Sequence, residues 1–177
     1  MSKRRPIQAE IDAGGSDHDE GSVAADRFRE AFARWAASVT VVAVRDDGGT
    51  VHATTVSSFA PLSDRPPLVV ICLGGGAQVL PFVDAGSRVG VSLLGEDQGR
   101  WASIFADSFP VAAPEWTEGD APRIPGAVMT LDCVVRAVHV GEGTSRLAVC
   151  HIDDIELGDD DRPLVYWRRG YATLDRQ

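Results

Sequence analysis

Apolar and polar positions follow a helical spacing only near the start of the chain. There Phe28, Phe32 and Trp35 recur at intervals of four and three behind Asp26, a residue suited to capping. This spacing predicts a helix ending near Ala37. Beyond it the period shortens to two. Ser38–Val44 and Thr50–Val56 are β-branched runs separated by Asp46-Asp47-Gly48-Gly49, and together they predict a hairpin. Further strands are expected at Leu68–Leu73, Arg88–Leu94, Val128–Val140, Arg146–Glu156 and Leu164–Trp167. Short helices are expected at Ala77–Ala85 and Glu96–Ala106, the second with Trp101, Ile104 and Phe105 on one side. Several short strands with few helices make the chain mainly β. They argue for a closed or partly closed antiparallel barrel and against a doubly wound parallel sheet.

Residues 1–24 carry charges, Gly14, Gly15 and Ser16 with almost no large apolar groups, so they cannot bury enough surface to offset the entropy of ordering. The expectation is a disordered N-terminal tail at 1–24 and one domain at 25–177. Hydrophobic residues are 44% and charged residues 24% of the 177, which supplies a sizeable core. No run of about 18 apolar residues and no signal-peptide pattern is present, so a cytoplasmic protein with no membrane contact is expected. A formal net charge of −9 repels phosphate backbones and argues against nucleic acid as a partner. Cys72, Cys133 and Cys150 lie far apart in apolar stretches, the pattern of buried reduced thiols. Without a Cys-x-x-Cys pair, and with His139 and His151 each in a strand pattern, no metal site is expected. Trp35, Trp101 and Trp167 are expected to pack in the core or in a dimer interface.

The stretch from His52 to Leu68, with Thr54, Thr55, Ser57 and Ser58 crowded at a strand end, offers side-chain donors and closely approachable main-chain amides. These suit the phosphate and polar ring edge of a nucleotide-like cofactor. An edge strand that uses Thr for β propensity and Ser for a turn accounts for the same residues.

The ordering His52-x-x-Thr55-x-x-Ser58-Phe59, followed by Leu62-Ser63-x-x-Pro66-Pro67-Leu68-Val69, resembles the signature of flavin reductase-like proteins with the FMN-binding split barrel. These are the small reductase components of two-component flavin monooxygenases, and the likeness is strongest to reductases serving aromatic polyketide oxygenation. Phe28–Ala36 before Ser38–Val42, Val91–Gln98 leading to Phe105-Ala106, Pro125-Gly126-Ala127 before Leu131-Asp132-Cys133, and Pro163–Tyr171 agree in order. The likeness spans about residues 26 to 174.

The resemblance implies an antiparallel split β-barrel of the FMN-binding type. It places Thr54, Thr55 and Val56 beside the isoalloxazine, largely through main-chain groups, and Ser57 and Ser58 near the ribityl chain and phosphate. The loop containing Gly75, Gly76 and Ala77, and the region from Gln98 to Phe105, would close over the phosphate end. The implied activity is NAD(P)H-dependent reduction of free or loosely bound FMN, with FAD or riboflavin as other flavins and NADH or NADPH as co-substrate. Reduced flavin would then serve a partner monooxygenase, and a homodimer is expected. Two other readings stand beside this one: a non-catalytic flavin- or haem-binding split-barrel protein, and a flavoenzyme acting directly on an organic substrate. Hydride transfer is the cofactors' own chemistry, so no catalytic side chain is expected.

The chain departs from the family pattern at two places. Family members carry Ser, Thr or basic phosphate ligands in the loop where this chain has Gly75, Gly76, Ala77 and Val79. Their Gly-Asp-His turn is matched by Gly143-Thr144-Ser145, which puts Ser145 at the position of the nicotinamide-side histidine.

Overall fold

Strand β2 (Thr40–Arg45) is buried along its length except at its last residue, which requires cover on both of its faces. The alternation of its side chains supplies two cores. Val42 and Val44 join Val56, Ile71, Leu73, Val91, Leu131, Cys133, Ala148 and Cys150 in one cluster. Val41 and Ala43 join Val39, Ala53, Leu94, Ala102, Phe105, Ile124 and Leu164 in the other. The first fills a rolled sheet, and the second lies between that sheet and a helix. The computed structural model describes residues 23–107, 111–140, 143–159 and 161–174.

Two units divide the chain at residues 1–32 and 33–177. The described part of the first holds helix α1 (Ala25–Phe32), whose Phe28 and Phe32 rings stack at 4.3 Å and are both exposed. The helix is shorter than the spacing predicts. Ala33 O accepts the Arg168 N–H, and Ala37–Ser38 form strand β1 against Val165 and Tyr166, so those residues are engaged in other hydrogen bonds. The expected tail, apart from residues 23 and 24, lies outside the described residues.

The second unit contains β2, β3 (Val51–Val56), β4 (Phe59–Asp64), β5 (Pro67–Leu73), β6 (Arg88–Leu93), helix α2 (Gly99–Ala106), β7 (Met129–Val140) and β8 (Arg146–Leu157). After these come β9 (Val165–Trp167) and β10 (Gly170–Ala172), which with β1 form a three-stranded sheet in the order β1-β9-β10. The other sheet has seven strands in the order β3-β2-β6-β7-β8-β5-β4, every neighbouring pair antiparallel. Its two outermost strands, β3 and β4, follow one another in sequence with only Ser57 and Ser58 between them. Two residues bridge roughly 10 Å at most, so the sheet must roll until its edges meet. No ladder joins β3 to β4 among the described residues, and the result is a barrel left split along that seam.

Several expectations are corrected. Strand β4 falls in a stretch for which no strand is expected. Proline survives there because β4 is an edge strand with a register shift between Pro61 and Ser63. The helix expected over Ala77–Ala85 shrinks to a 3-10 turn at Leu80–Phe82 with Pro81 inside it. Trp101 packs against the second core, whereas Trp35 and Trp167 are exposed at 69% and 41%. Cys150 lies in the barrel interior beside Cys133. His151, the next residue, turns to the other face and meets Asp153 at 2.9 Å. Burial pushes the Cys133 and Cys150 thiols up to about 12 and about 11, which keeps both protonated and unreactive at neutral pH.

Candidate flavin site

Strand β3 has one paired side and one open side. Its hairpin with β2 starts where Asp46 N–H donates to Thr50 O at 2.9 Å. The alternation of an antiparallel ladder then turns the main-chain groups of Thr54 and Val56 toward β2 and those of Val51, Ala53 and Thr55 away from it. No strand pairs with that outer side among the described residues. Of the three positions expected to meet a ring edge through the main chain, Thr55 is therefore the one whose amide and carbonyl face outward. Its side chain is fixed as well, because Thr55 Oγ1 donates to Ala102 O of α2 at 2.8 Å. Alternation puts Val56 in the barrel interior and Ala53 in the second core, so α2 is held against the face of β3 that carries Thr55.

The strand runs into Ser57 and Ser58, both exposed. Ser58 extends the β4–β5 ladder: its carbonyl accepts from Cys72 N–H at 3.0 Å and its hydroxyl donates to Cys72 O at 2.5 Å. Two residues beyond Cys72 begins Gly74-Gly75-Gly76, a tight turn closed by Ala77 N–H donating to Gly74 O at 2.9 Å. None of the three glycines has a positive φ, so the turn does not need glycine for its backbone shape. The need is for room. A Cβ on Gly75 would lie 2.4 Å from the Cβ and Oγ1 of Thr144, so the turn between β7 and β8 sits directly on this residue. In front of Gly74 and Gly76 there is no atom within 4 Å of where a Cβ would stand.

The structure therefore brings Thr55, Ser57, Ser58 and the glycine turn to one seam of the barrel, and the Gly143-Thr144-Ser145 turn arrives beside them. Gln98 and Phe105 are placed differently. Gln98 is buried, with Oε1 accepting from Gly95 N–H at 3.1 Å and Nε2 donating to Pro125 O at 2.9 Å. Phe105 is 4% exposed in the second core, its ring 5.4 Å from that of Trp116. Both side chains hold α2 in place. Arg146 is a position that the sequence pattern does not single out. Arg146 opens β8 directly opposite Leu73, the residue before the glycine turn, and no local signal marks it, because its position depends on the β5–β8 register.

Charge is distributed unevenly along β3. At its hairpin end the Asp46 carboxylate accepts from His52 Nε2 at 2.8 Å, Thr50 N–H at 2.9 Å and Gly48 N–H at 3.0 Å. The His52 contact is the main reason that this carboxyl is held below the usual carboxylate range. The His52 ring stacks on Phe82 at 4.0 Å. A groove of about 930 Å³ opens there, lined by Arg45, Asp46, Gly48, Phe82, Arg88 and Asp120. Its cations are engaged: Arg45 with the carbonyls of Gly49 and Gly119, and Arg88 with Asp132 and Asp153. At the seam, by contrast, Ser57 is exposed and the space in front of Gly74 and Gly76 is open. A phosphorylated flavin fits this set, with an edge of main-chain groups for the ring and hydroxyls with unobstructed amides for the phosphate.

Seven antiparallel strands rolled into a split barrel, with a polar seam beside an open edge strand, define a flavin-binding type of barrel. The family model for the flavin reductase like domain matches residues 32–175, and the chain belongs to that family. The reductase component of 4-hydroxyphenylacetate 3-monooxygenase from Thermus thermophilus is 38% identical over 149 residues, covering 84% of this chain and 96% of that protein. The FMN reductase (NADH) RutF of Cronobacter sakazakii is 30% identical over 155 residues, covering 84% of this chain and 92% of its own length. Among solved structures, the Streptomyces globisporus NADH:FAD oxidoreductase in complex with NAD and FAD fragments superposes with a TM-score of 0.76 at 26% identity, covering 85% of this chain and 92% of that one.

Proposed function

We propose that this protein is an NAD(P)H:flavin oxidoreductase that reduces FMN and releases it to a partner monooxygenase. The observation that carries the reading is the seam itself. An open edge at Thr55 leads directly to Ser57, Ser58 and an unobstructed glycine turn, in a chain of the flavin reductase-like family. Bound flavin supplies the hydride-accepting chemistry. The Thr55 main chain meets the polar edge of the ring, Ser57, with Ser58 beside it, the ribityl chain and phosphate, and the Gly74–Gly76 amides the phosphate end. Helix α2, tied to β3 through Thr55 and braced by Gln98 and Phe105, keeps the edge rigid and covers the face of β3 that carries Ala53 and Thr55. Transfer between two stacked rings needs no acid–base pair, so the protein's share is alignment and exclusion of water.

The relatives' names support the choice of partners: a monooxygenase reductase component, an NADH-dependent FMN reductase and an NADH:FAD oxidoreductase. The proposed domain is 25–177, with residues 1–24 as a tail, in a cytoplasmic homodimer. Exposed Leu62, Val140, Ile155 and Leu157 support self-association. Among the described residues no helix is long and apolar enough to cross a membrane. The test is to mix the purified protein with FMN and NADH and follow the nicotinamide absorbance. Many flavins reduced per protein supports the proposal, and flavin binding without turnover overturns it in favour of a non-catalytic carrier. Sedimentation at micromolar concentration tests the dimer, and a monomer there overturns it.

A further inference from the structure

We propose that Arg146 selects phosphorylated flavin over riboflavin by donating charge-assisted hydrogen bonds to the flavin phosphate. The assignment rests on the flavin reading above and goes beyond it, because the glycine turn has no basic or hydroxyl side chain of its own.

Three observations carry it. Arg146 is the first residue of β8 and stands directly opposite Leu73, so its Cα is one residue removed from the glycine turn. The contact of Thr144 with Gly75 holds the preceding turn against that same glycine turn, which fixes the start of β8 beside it. Alternation through Ala148 and Cys150, both interior, puts Arg146 on the inward face at the barrel rim, next to Leu73. Arg146 is also partly buried, and its side chain has no hydrogen bond or ion pair among the described residues. Arg45, Arg88 and Arg162, by contrast, each bind a carbonyl or a carboxylate. A half-buried guanidinium without a partner has lost hydration, and a phosphate restores that loss with paired donors. In a chain of net charge −9 this guanidinium supplies, from the neighbouring strand, the charge that the turn lacks.

The experiment titrates oxidised FMN and riboflavin against wild type, Arg146→Gln and Arg146→Lys without nicotinamide, by flavin fluorescence, and then measures the KM for NADH. Arg146→Gln is expected to weaken FMN by about 10- to 100-fold, the range for a hydrogen bond to a charged group. Riboflavin should stay within about twofold, which also reports that the variant is folded. Lysine, a single point charge, should recover part of the loss. Added salt should weaken FMN binding to wild type more than to Arg146→Gln.

Equal loss of both flavins, in the Gln and Lys variants alike, gives Arg146 a structural role and overturns the proposal. An unchanged FMN affinity while wild type still prefers FMN to riboflavin overturns it and leaves the flavin reading standing. An unchanged FMN affinity with a raised KM for NADH also overturns it, assigning the guanidinium to the dinucleotide. Wild-type protein that binds neither flavin overturns the proposal and the flavin reading together.

Discussion

Strand β3 ends in two polar regions built from similar residues, and they behave differently. At the hairpin end Asp46, Thr50 and His52 satisfy one another, and the guanidinium of Arg45 is bound to main-chain carbonyls. At the seam end the Ser58 hydroxyl is engaged with Cys72, but the space before Gly74 and Gly76 is open, and the Ser57 hydroxyl and the Arg146 guanidinium have no partner among the described residues. The groove of about 930 Å³ lies at the hairpin end. Binding capacity follows unsatisfied donors more than volume, because a ligand must offer a polar group something better than the partner it already has.

The largest expected effect falls on the seam. Ser57→Ala should weaken FMN by about 1.5–3 kcal/mol while sparing riboflavin, the range for a hydrogen bond to a charged group. Ser58→Ala acts on a hydroxyl already donated to Cys72. It should instead lower apo stability by about 0.5–1.5 kcal/mol, with a smaller effect on FMN. Calorimetric titration with both flavins separates the two, and a reversed order would show that Ser58 leaves Cys72 to bind phosphate.

Gly75→Ala forces a Cβ into the space of Thr144. The cost of such overpacking is about 1–3 kcal/mol, seen as a lower melting temperature and weaker FMN binding. Thr144→Gly in the same chain should restore most of it. If the double variant is no better than the single, the contact between the two turns is not what requires glycine.

At the hairpin end the effect should be smaller and depend on pH. The Asp46 carboxyl is held below its ordinary value, so it stabilises the fold above the usual carboxylate pKa of about 3.9 and loses that contribution as pH falls through the folded value. Asp46→Asn should therefore melt slightly earlier at neutral pH, and the difference should vanish on acidification. A gap that widens in acid contradicts this sign. The smallest expected effect is none: Asp120→Tyr puts bulk into the wide groove and should leave FMN affinity within about twofold. A large loss there would move the flavin to the hairpin end.

The alternating β-branched runs were legible as strands because burial on one or both faces of a sheet imposes a period of two. Six of the expected strands match β3 and β5 to β9 within a residue, while Ser38–Val44 divides into β1 and β2. Strand β4 was not, because an edge strand with Pro61 and a register shift has little of that pattern. The Thr54–Ser58 segment stood out by its hydroxyls and by family resemblance, and it lies at the seam. Gln98 and Phe105 lie in the matching region, yet their side chains brace α2, a distinction that only hydrogen-bond partners and burial reveal.

The sequence by itself determined where the strands run, that they form a mainly β barrel, and which family's pattern the chain carries. These properties depend on side-chain periodicity and on short ordered motifs, both local in the chain. The tertiary structure alone decided that Thr144 rests on Gly75, that Arg146 stands beside the glycine turn, and that β3 and β4 meet without pairing. Each of these joins residues far apart in sequence through strand register and sheet curvature. A shift of register by one residue would turn Arg146 to the other face of the sheet and leave the local pattern of every segment almost unchanged.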